Sequence, residues 1–475
     1  MSKLKWGSWM MKACGVLLLW TVVGTALSAQ TTPNYVPAVT FTTLHSFHRV
    51  DGTNPFAGLI QGIDGNLHGA TYRGGGAGTG EIFTITPSGA LTLLYRFCRP
   101  NCLEGAGPTS EPVQDIDGNF YGTTLFGRVN DQGTVFRLTP SGNLTTLYSF
   151  CPNSGCPEGS QPSGLVRASD GSFYGTTFYG GAGADGTVFR ITAGGTLTTL
   201  YSFGGLDGCS PSAGLIQGTN GKFYGTTQLG GLEGVGTVFE ITAAGELTTL
   251  HSFDGTDGTN LESALVQGSN GKFYGTTSGG GPNQNSGTVF SITAGGEFTT
   301  LHNFNGADGN DVFAGLVQGT DGNFYGTTFY GGTNDDGTIF KITPSGALTT
   351  LYNFAGMDGE NPYAGLVQDT NGAFFGTTYV GGKDNNGSVF SLSVGLGPFV
   401  AVNPTASAVG VAVNILGTNL TGATNVTFNG VAASFTVVSA SLITTKVPSG
   451  ATTGFIHVVT PKSTLSSNVP FGVTP

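Results

Sequence analysis

The segment Asn119-Phe120-Tyr121-Gly122-Thr123-Thr124 recurs along the chain and constrains its fold more than any other feature. Its first aromatic position falls at Leu67, Phe120, Phe173, Phe223, Phe273, Phe324 and Phe374, at spacings of 53, 53, 50, 50, 51 and 50 residues. Seven copies at a near-constant period mean an array of like supersecondary units, each buried against its neighbours. One unit reads as four short strands. In the copy from Ala314, residues 314–318 form strand a and Asp321-Gly322 a two-residue turn. Residues 323–328 form strand b, 329–336 a longer Gly/Asn/Asp loop, 337–343 strand c, 344–346 a turn and 347–354 strand d. Every link is short, so the unit is an antiparallel meander. Four-stranded units of about 50 residues are β-propeller blades.

The ends of the array predict ring closure. Strand d has seven copies, at 41–47, 91–97, 144–150, 197–203, 247–253, 298–304 and 348–354. The first of them precedes the first strand a, and the seventh a–b–c set (364–393) has no strand d after it. Residues 41–47 therefore complete the last blade. Composition agrees with an all-β chain rich in turns. Of 475 residues 82 are Gly and 21 Pro, and only 9% are charged, which leaves little from which to build amphipathic surface helices. The 33 Phe supply the apolar surface that a disordered chain lacks.

The pattern G-L-V-Q-x-x-[DN]-G-x-F-Y-G-T-T, read from Gly315-Leu316-Val317-Gln318 through Thr328, resembles the GloVer-type tandem repeat of exported and often anchored bacterial proteins. The resemblance covers about 41–393 and implies localisation more than mechanism, because that family is defined by its repeat. Two copies depart from it: Leu67-His68-Gly69-Ala70 replaces FYGT, and Glu111-Pro112 replaces AG. After Ser393 the period stops. Residues 413–420, 426–430 and 443–448 resemble an IPT/TIG domain, which implies an immunoglobulin-like β-sandwich serving as spacer or binding module. The expected architecture is a signal peptide (1–29), a seven-bladed propeller (30–395) closed by an N-terminal strand, and an Ig-like domain (396–475).

The leader reads as a Sec-type signal: Lys3, Lys5 and Lys12, then an apolar run from Cys14 to Val23, then small residues ending at Ala29. Its removal takes three of the 17 basic residues and none of the 28 acidic ones, so the net charge falls from −11 to about −14. An acidic chain without basic clusters is a poor nucleic-acid binder. No later stretch is apolar enough to span a membrane, and a secreted or cell-surface monomer is expected. All three Trp leave with the leader.

In a meander the d–a and b–c loops share one face, and these loops are the longer and more variable ones. The d–a loop carries an acid followed by Gly in every copy: Asp51, Glu104, Glu158, Asp207, Asp257, Asp308 and Asp358. Ring symmetry would gather these acids about the axis, as a Ca²⁺ site or an acidic funnel; the plainer reading is turn chemistry. Three residues before each a–b turn stand Gln61, Gln114, Arg167, Gln217, Gln267, Gln318 and Gln368, either lining the channel or bonding between blades. Arg167 alone breaks their pattern. Tyr72, Phe126, Tyr179, Tyr330 and Tyr379 open b–c loops and could stack a sugar, the plainer reading being packing between blades. Cys98 and Cys102, and likewise Cys151 and Cys156, sit in lengthened d–a loops. Each pair is read as a local disulfide, with Cys209 left over. The six His form no HxH or HExxH pattern, so no metal centre or other cofactor is expected. No catalytic signature is complete: Ser169-Asp170-Gly171 is a fragment of a sialidase box, and quinoprotein propellers need absent Trp motifs.

The function expected from this is a secreted or surface binding and adhesion module, with a glycan or another surface protein as partner. The alternatives are a polysaccharide hydrolase or lyase using carboxylates on the d–a/b–c face, and a structural surface component.

Overall fold

The computed structural model describes residues 39–474, apart from 76–77, 98–103, 128–130, 153–154 and 283–285. The leader, Cys98 and Cys102 therefore lie outside the described residues. The described residues fold as strands, turns and loops, with no helix among them. Six four-stranded sheets follow one another from Ile60 to Asn353, each in the order a-b-c-d. Blade 6 is typical, with Val317–Gln318, Phe324–Thr328, Thr338–Ile342 and Leu348–Asn353. The seventh sheet combines Val367–Gln368, Phe374–Thr378 and Ser388–Ser393 with the N-terminal strand Thr40–Ser46, which lies antiparallel to the last of these, Thr40 opposite Ser393 and Ser46 opposite Ser388. The ring is closed by the strand that the repeat count requires.

Strand a is shorter than its sequence suggests, two residues in every blade but the third, where it spans Ser160–Arg167. In every blade, the third included, the segment around the start of strand a also bonds to the previous blade, as where Ser163 O accepts from Thr123 Oγ1 at 2.9 Å. Thr276 Oγ1 of blade 5 donates to Ala314 O at 2.8 Å, and Thr226 Oγ1 of blade 4 to Ser263 O at 3.0 Å.

Two aromatic contacts join most blades to the next; between blades 7 and 1 Phe375 packs on Leu67 in place of the first. The Tyr of strand b stacks on the leading Phe of the following blade, as in Tyr224–Phe273 at 3.9 Å and Tyr121–Phe173 at 4.2 Å between centroids. The Phe that ends strand d meets the Phe of the next strand c edge-on, as in Phe304–Phe340 at 5.3 Å. Phe47 makes the same contact with Phe83 at 5.3 Å, so the closing strand brings the packing of the other blades as well as their pairing. In the departing first copy, His68 replaces the Tyr and packs on Phe120 at 4.6 Å.

The C-terminal domain is a β-sandwich. One sheet orders Val400–Asn403, Ala412–Gly417, Leu442–Lys446 and Phe435–Val437; the other orders Val431–Ala432, Asn425–Phe428, Ile456–Val459 and Thr464–Ser466. Val413, Ile415, Val426, Phe428, Ile443 and Ile456 fill the space between them. The domain seats on the a–b turns of the propeller. Asn403 Nδ2 donates to Gln114 O at 2.7 Å, Ser441 Oγ to Ile63 O at 3.1 Å and Asn468 Nδ2 to Gln318 O at 3.2 Å. Thr418 and Thr370 join their hydroxyls at 3.0 Å. These turns belong to blades 2, 1, 6 and 7, so the domain straddles the axis on the a–b face.

Candidate functional site

The opposite face holds an axial cavity of about 740 Å³, lined by all seven blades. Two successive positions at the entrance to strand a shape it. The inner position is Gly58, Glu111, Gly164, Gly214, Ala264, Gly315 and Gly365 in turn around the ring. Small residues are required because adjacent blades nearly touch there: a Cβ on Gly365 would stand 3.0 Å from Gly315 O. Glu111 is the exception, an exposed carboxylate reaching to Gly58. The equivalent strands Val113–Gln114 of blade 2 and Val317–Gln318 of blade 6 put Glu111-Pro112 in the place of Gly315-Leu316, so the departure replaces Gly-Leu and not Ala-Gly.

The outer position, two residues earlier, is Phe56, Thr109, Pro162, Ser212, Glu262, Phe313 and Tyr363. It changes from each blade to the next, with Phe alone used twice. One side is an aromatic wall in which Tyr363 stacks on Phe56 at 3.8 Å and on Phe313 at 5.0 Å between centroids. Glu262 stands beside it. Its Oε2 accepts from Tyr363 Oη at 3.0 Å and its Oε1 from Gln228 Nε2 at 3.0 Å. Burial pushes the Glu262 carboxyl above its ordinary range, against the lowering effect of those two donors. Burial and the neighbouring carboxylate push the Tyr363 hydroxyl up as well. Glu111 and Glu262 are the charged residues of the lining, which holds no Lys, Arg or His among the described residues.

The seven acids do not gather at this cavity, which corrects the expected ring. Each sits by strand d, the strand farthest from the axis in every blade, and none of Asp51, Glu104, Glu158, Asp207, Asp257, Asp308 and Asp358 lines the lumen. The five Asp are engaged with their own loops. Asp257 Oδ1 accepts from Asp254 N at 3.0 Å and its Oδ2 meets His251 Nε2 at 2.7 Å; Asp308 does the same with Asn305 N and His302. Asp51 pairs with His45, and Asp207 and Asp358 accept from Tyr201 and Tyr352. Burial and the Asp207 contact push the Tyr201 hydroxyl up to about 12. The backbone oxygen of the acid then takes a Thr or Ser hydroxyl from strand c, as Glu104 O does from Thr134 and Glu158 O from Thr187 at 3.2 Å. The following glycine is obligatory: Gly258 has φ 141°, and a Cβ there would meet Thr277 Cγ2 at 2.5 Å. No group of three or more His, Cys, Asp and Glu side chains gathers to hold a metal ion among the described residues.

Arg167 points to neither ligand nor lumen. The Gln of each blade accepts from a backbone N–H in the a–b turn of the blade before it, as Gln318 Oε1 does from Ser269 N at 2.8 Å and Gln61 Oε1 from Thr370 N at 3.0 Å. At the same junction Arg167 forms a buried ion pair with Asp115 of blade 2. Of the b–c loop aromatics, Tyr179 is 48% exposed and lines the cavity. Tyr379 flanks Phe56 at 6.2 Å, and Tyr330 packs edge-on against Phe329 at 4.7 Å. Tyr72 and Phe126 line a separate small pocket beside Arg73, whose guanidinium lies 5.3 Å from the Tyr72 ring. Of the two expected disulfides, the one between Cys151 and Cys156 is formed. The other, Cys98 with Cys102, is not among the disulfides of the described residues, because Cys98 and Cys102 both fall in the segment 98–103 outside them. Cys209 is a free thiol whose Sγ donates to Asp185 Oδ1 at 3.2 Å.

Phe56, Glu262, Phe313 and Tyr363 escaped the sequence reading, which looked for residues that recur. A signal for them was present: theirs is a position of a regular repeat that takes six residue types in seven copies.

Residues 21–159, 108–318 and 281–434 match the family described as the Gloeobacter/Verrucomicrobia repeat, and 399–473 match the IPT/TIG domain. No curated protein matches the chain. Among solved structures, the chain is similar to a fungal alcohol oxidase of the AA5 family in complex with copper, at 14% identity and TM-score 0.47, covering 92% of this chain and 99% of that one. It is also similar to the puromycin hydrolase S511A mutant complexed with PGG, at 14% identity and TM-score 0.42, covering 68% and 50%. Neither likeness says anything of this chain's ligand.

Proposed function

Because the chain belongs to the Gloeobacter/Verrucomicrobia repeat family and ends in an Ig-like domain, it is a binding or structural module, and we propose that it is an exported one that captures a ligand in the axial cavity. One observation carries this reading. The residues that build the blades repeat from copy to copy, whereas the outer ring of the cavity carries six residue types in seven copies, including an aromatic wall and a half-buried carboxylate. Scaffold positions in a repeat have no reason to diverge at one mouth only; a binding surface does. The Ig-like domain, seated on the other face, leaves this mouth free and serves as base or spacer. The leader and the composition support secretion or display at the cell surface, with a surface glycan or protein as partner.

The test is binding of the secreted full chain to glycan arrays and bacterial surface extracts, beside a Ser212→Trp variant that fills the cavity mouth. The variant is expected to fold and to lose binding. Undiminished binding by folded Ser212→Trp would place the ligand elsewhere. A second reading, hydrolysis or elimination on a polysaccharide, rests on the pairing in one cavity of exposed Glu111 with half-buried Glu262, whose carboxyl is pushed up as a general acid requires. Release of reducing ends, lost in Glu262→Gln, is the observation that would favour it.

A further inference from the structure

Resting on the cavity as the binding site, we infer that its ligand is an organic cation, a protonated amine carried on an apolar stem. The charge balance of the lining points one way. Glu111 and Glu262 face the lumen, Asp311 lies close enough to Glu262 to raise its carboxyl, and no basic side chain answers them among the lining residues described. An anion would meet repulsion there, and a neutral ligand would leave the carboxylates uncompensated in a concave, partly dry site.

Glu262 is set up to receive a cation rather than to be neutralised by the protein. Tyr363 donates to one oxygen and Gln228 to the other, and the Ser278 hydroxyl adds a third contact. These neutral donors fix the carboxylate plane without cancelling its charge, and of about four acceptor sites on the two oxygens they leave one open. Tyr363 cannot easily turn away, because its ring is stacked between Phe56 and Phe313. An ammonium group donating to Glu262 would bring its alkyl stem against that aromatic wall, and Glu111, one position nearer the neck, would add a second negative charge to the same lumen. The hydroxyls of Ser212 and Ser263 complete the polar side. Stacking of a sugar is the weaker fit: the rings of the wall are stacked on one another, which leaves fewer open faces.

The experiment is isothermal titration of the full chain with hexylammonium chloride, beside 1-hexanol and a neutral hexasaccharide. Hexylammonium is expected to bind about tenfold or more tightly than hexanol. Glu262→Gln should weaken it by about thirtyfold and Glu111→Gln by less, with both variants retaining their melting temperatures. Affinity should also fall as acid protonates Glu262. Equal binding of hexanol and hexylammonium, or an unchanged affinity in Glu262→Gln, would overturn the inference. Tighter binding of the neutral saccharide, lost in Ser212→Trp, would overturn it while leaving the cavity as the binding site. No binding of any ligand at the cavity would defeat both readings.

Discussion

Two carboxylates at equivalent positions show how one residue's worth depends on its partner. After the strand-a Gln or Arg, four copies carry Gly (Gly62, Gly218, Gly268, Gly319), but blades 2 and 7 carry Asp115 and Asp369. Asp115 is answered by Arg167, and Arg167 stands where the other blades have Gln. The two departures compensate each other. Arg167→Gln alone should therefore cost about 3 kcal/mol, because it strands a buried charge. The double variant Asp115→Gly/Arg167→Gln, which copies the arrangement of the other blades, should recover most of that in a denaturation cycle. Additive losses would show that the ion pair is not the reason for the Arg. Asp369 is 2% exposed, has no such partner, and leaves its Oδ2 without a hydrogen bond. Burial pushes its carboxyl up to about 6 from an ordinary 3.8. Between those values the folded chain holds a proton that the unfolded chain has released, so stability falls as pH rises through that window. Asp369→Gly is expected to flatten this slope and to raise stability at pH 7.5 by an amount on the order of 1–2 kcal/mol, with no gain at pH 4. Melting curves of both proteins at the two pH values decide it.

At the scale of elements, the closing strand does the most for its length. It completes the sheet of blade 7, and Phe47 fills the blade 7–blade 1 junction. Removing residues 40–47 exposes a strand edge and empties that junction together, and exposed edges template intermolecular pairing. The shortened protein is expected to aggregate or to melt well below the parent, whereas removing residues 30–35 should leave both properties unchanged. A monodisperse protein of parental melting temperature after the 40–47 deletion would contradict the closure. The repeated acid belongs at this scale too. It recurs because every blade needs the same d–a turn, with the side chain holding strand d and the backbone oxygen held by strand c.

For the whole molecule, the Ig-like domain is held by contacts to four a–b turns, while the ring has its own closure. Truncation after Gly397 is therefore expected to leave a folded propeller by circular dichroism and size exclusion. Its melting temperature should drop, since the chain beyond that point, including the Phe399 amide bonded to Thr370 O, supports blade 7. If the cavity is the binding site, ligand affinity should survive the truncation within about threefold, because base and mouth lie on opposite faces. Collapse of the propeller would mean that the two parts fold as one.

Sequence by itself determined the number of blades, the strand order within them, the closing strand and the presence of an Ig-like sandwich after the last blade. All of these rest on local periods and turn chemistry, and repetition multiplies a weak local signal seven times. It could not decide which variable residues converge. The acids recur at every copy and so read as a ring, but alternation along the meander sends them to the outer strand; Phe56, Glu262, Phe313 and Tyr363 lie up to 307 residues apart and show no common chemistry until the ring brings them to one mouth. Closure converts sequence distance into adjacency about an axis, and the lengthwise period carries no record of which side of a strand faces it.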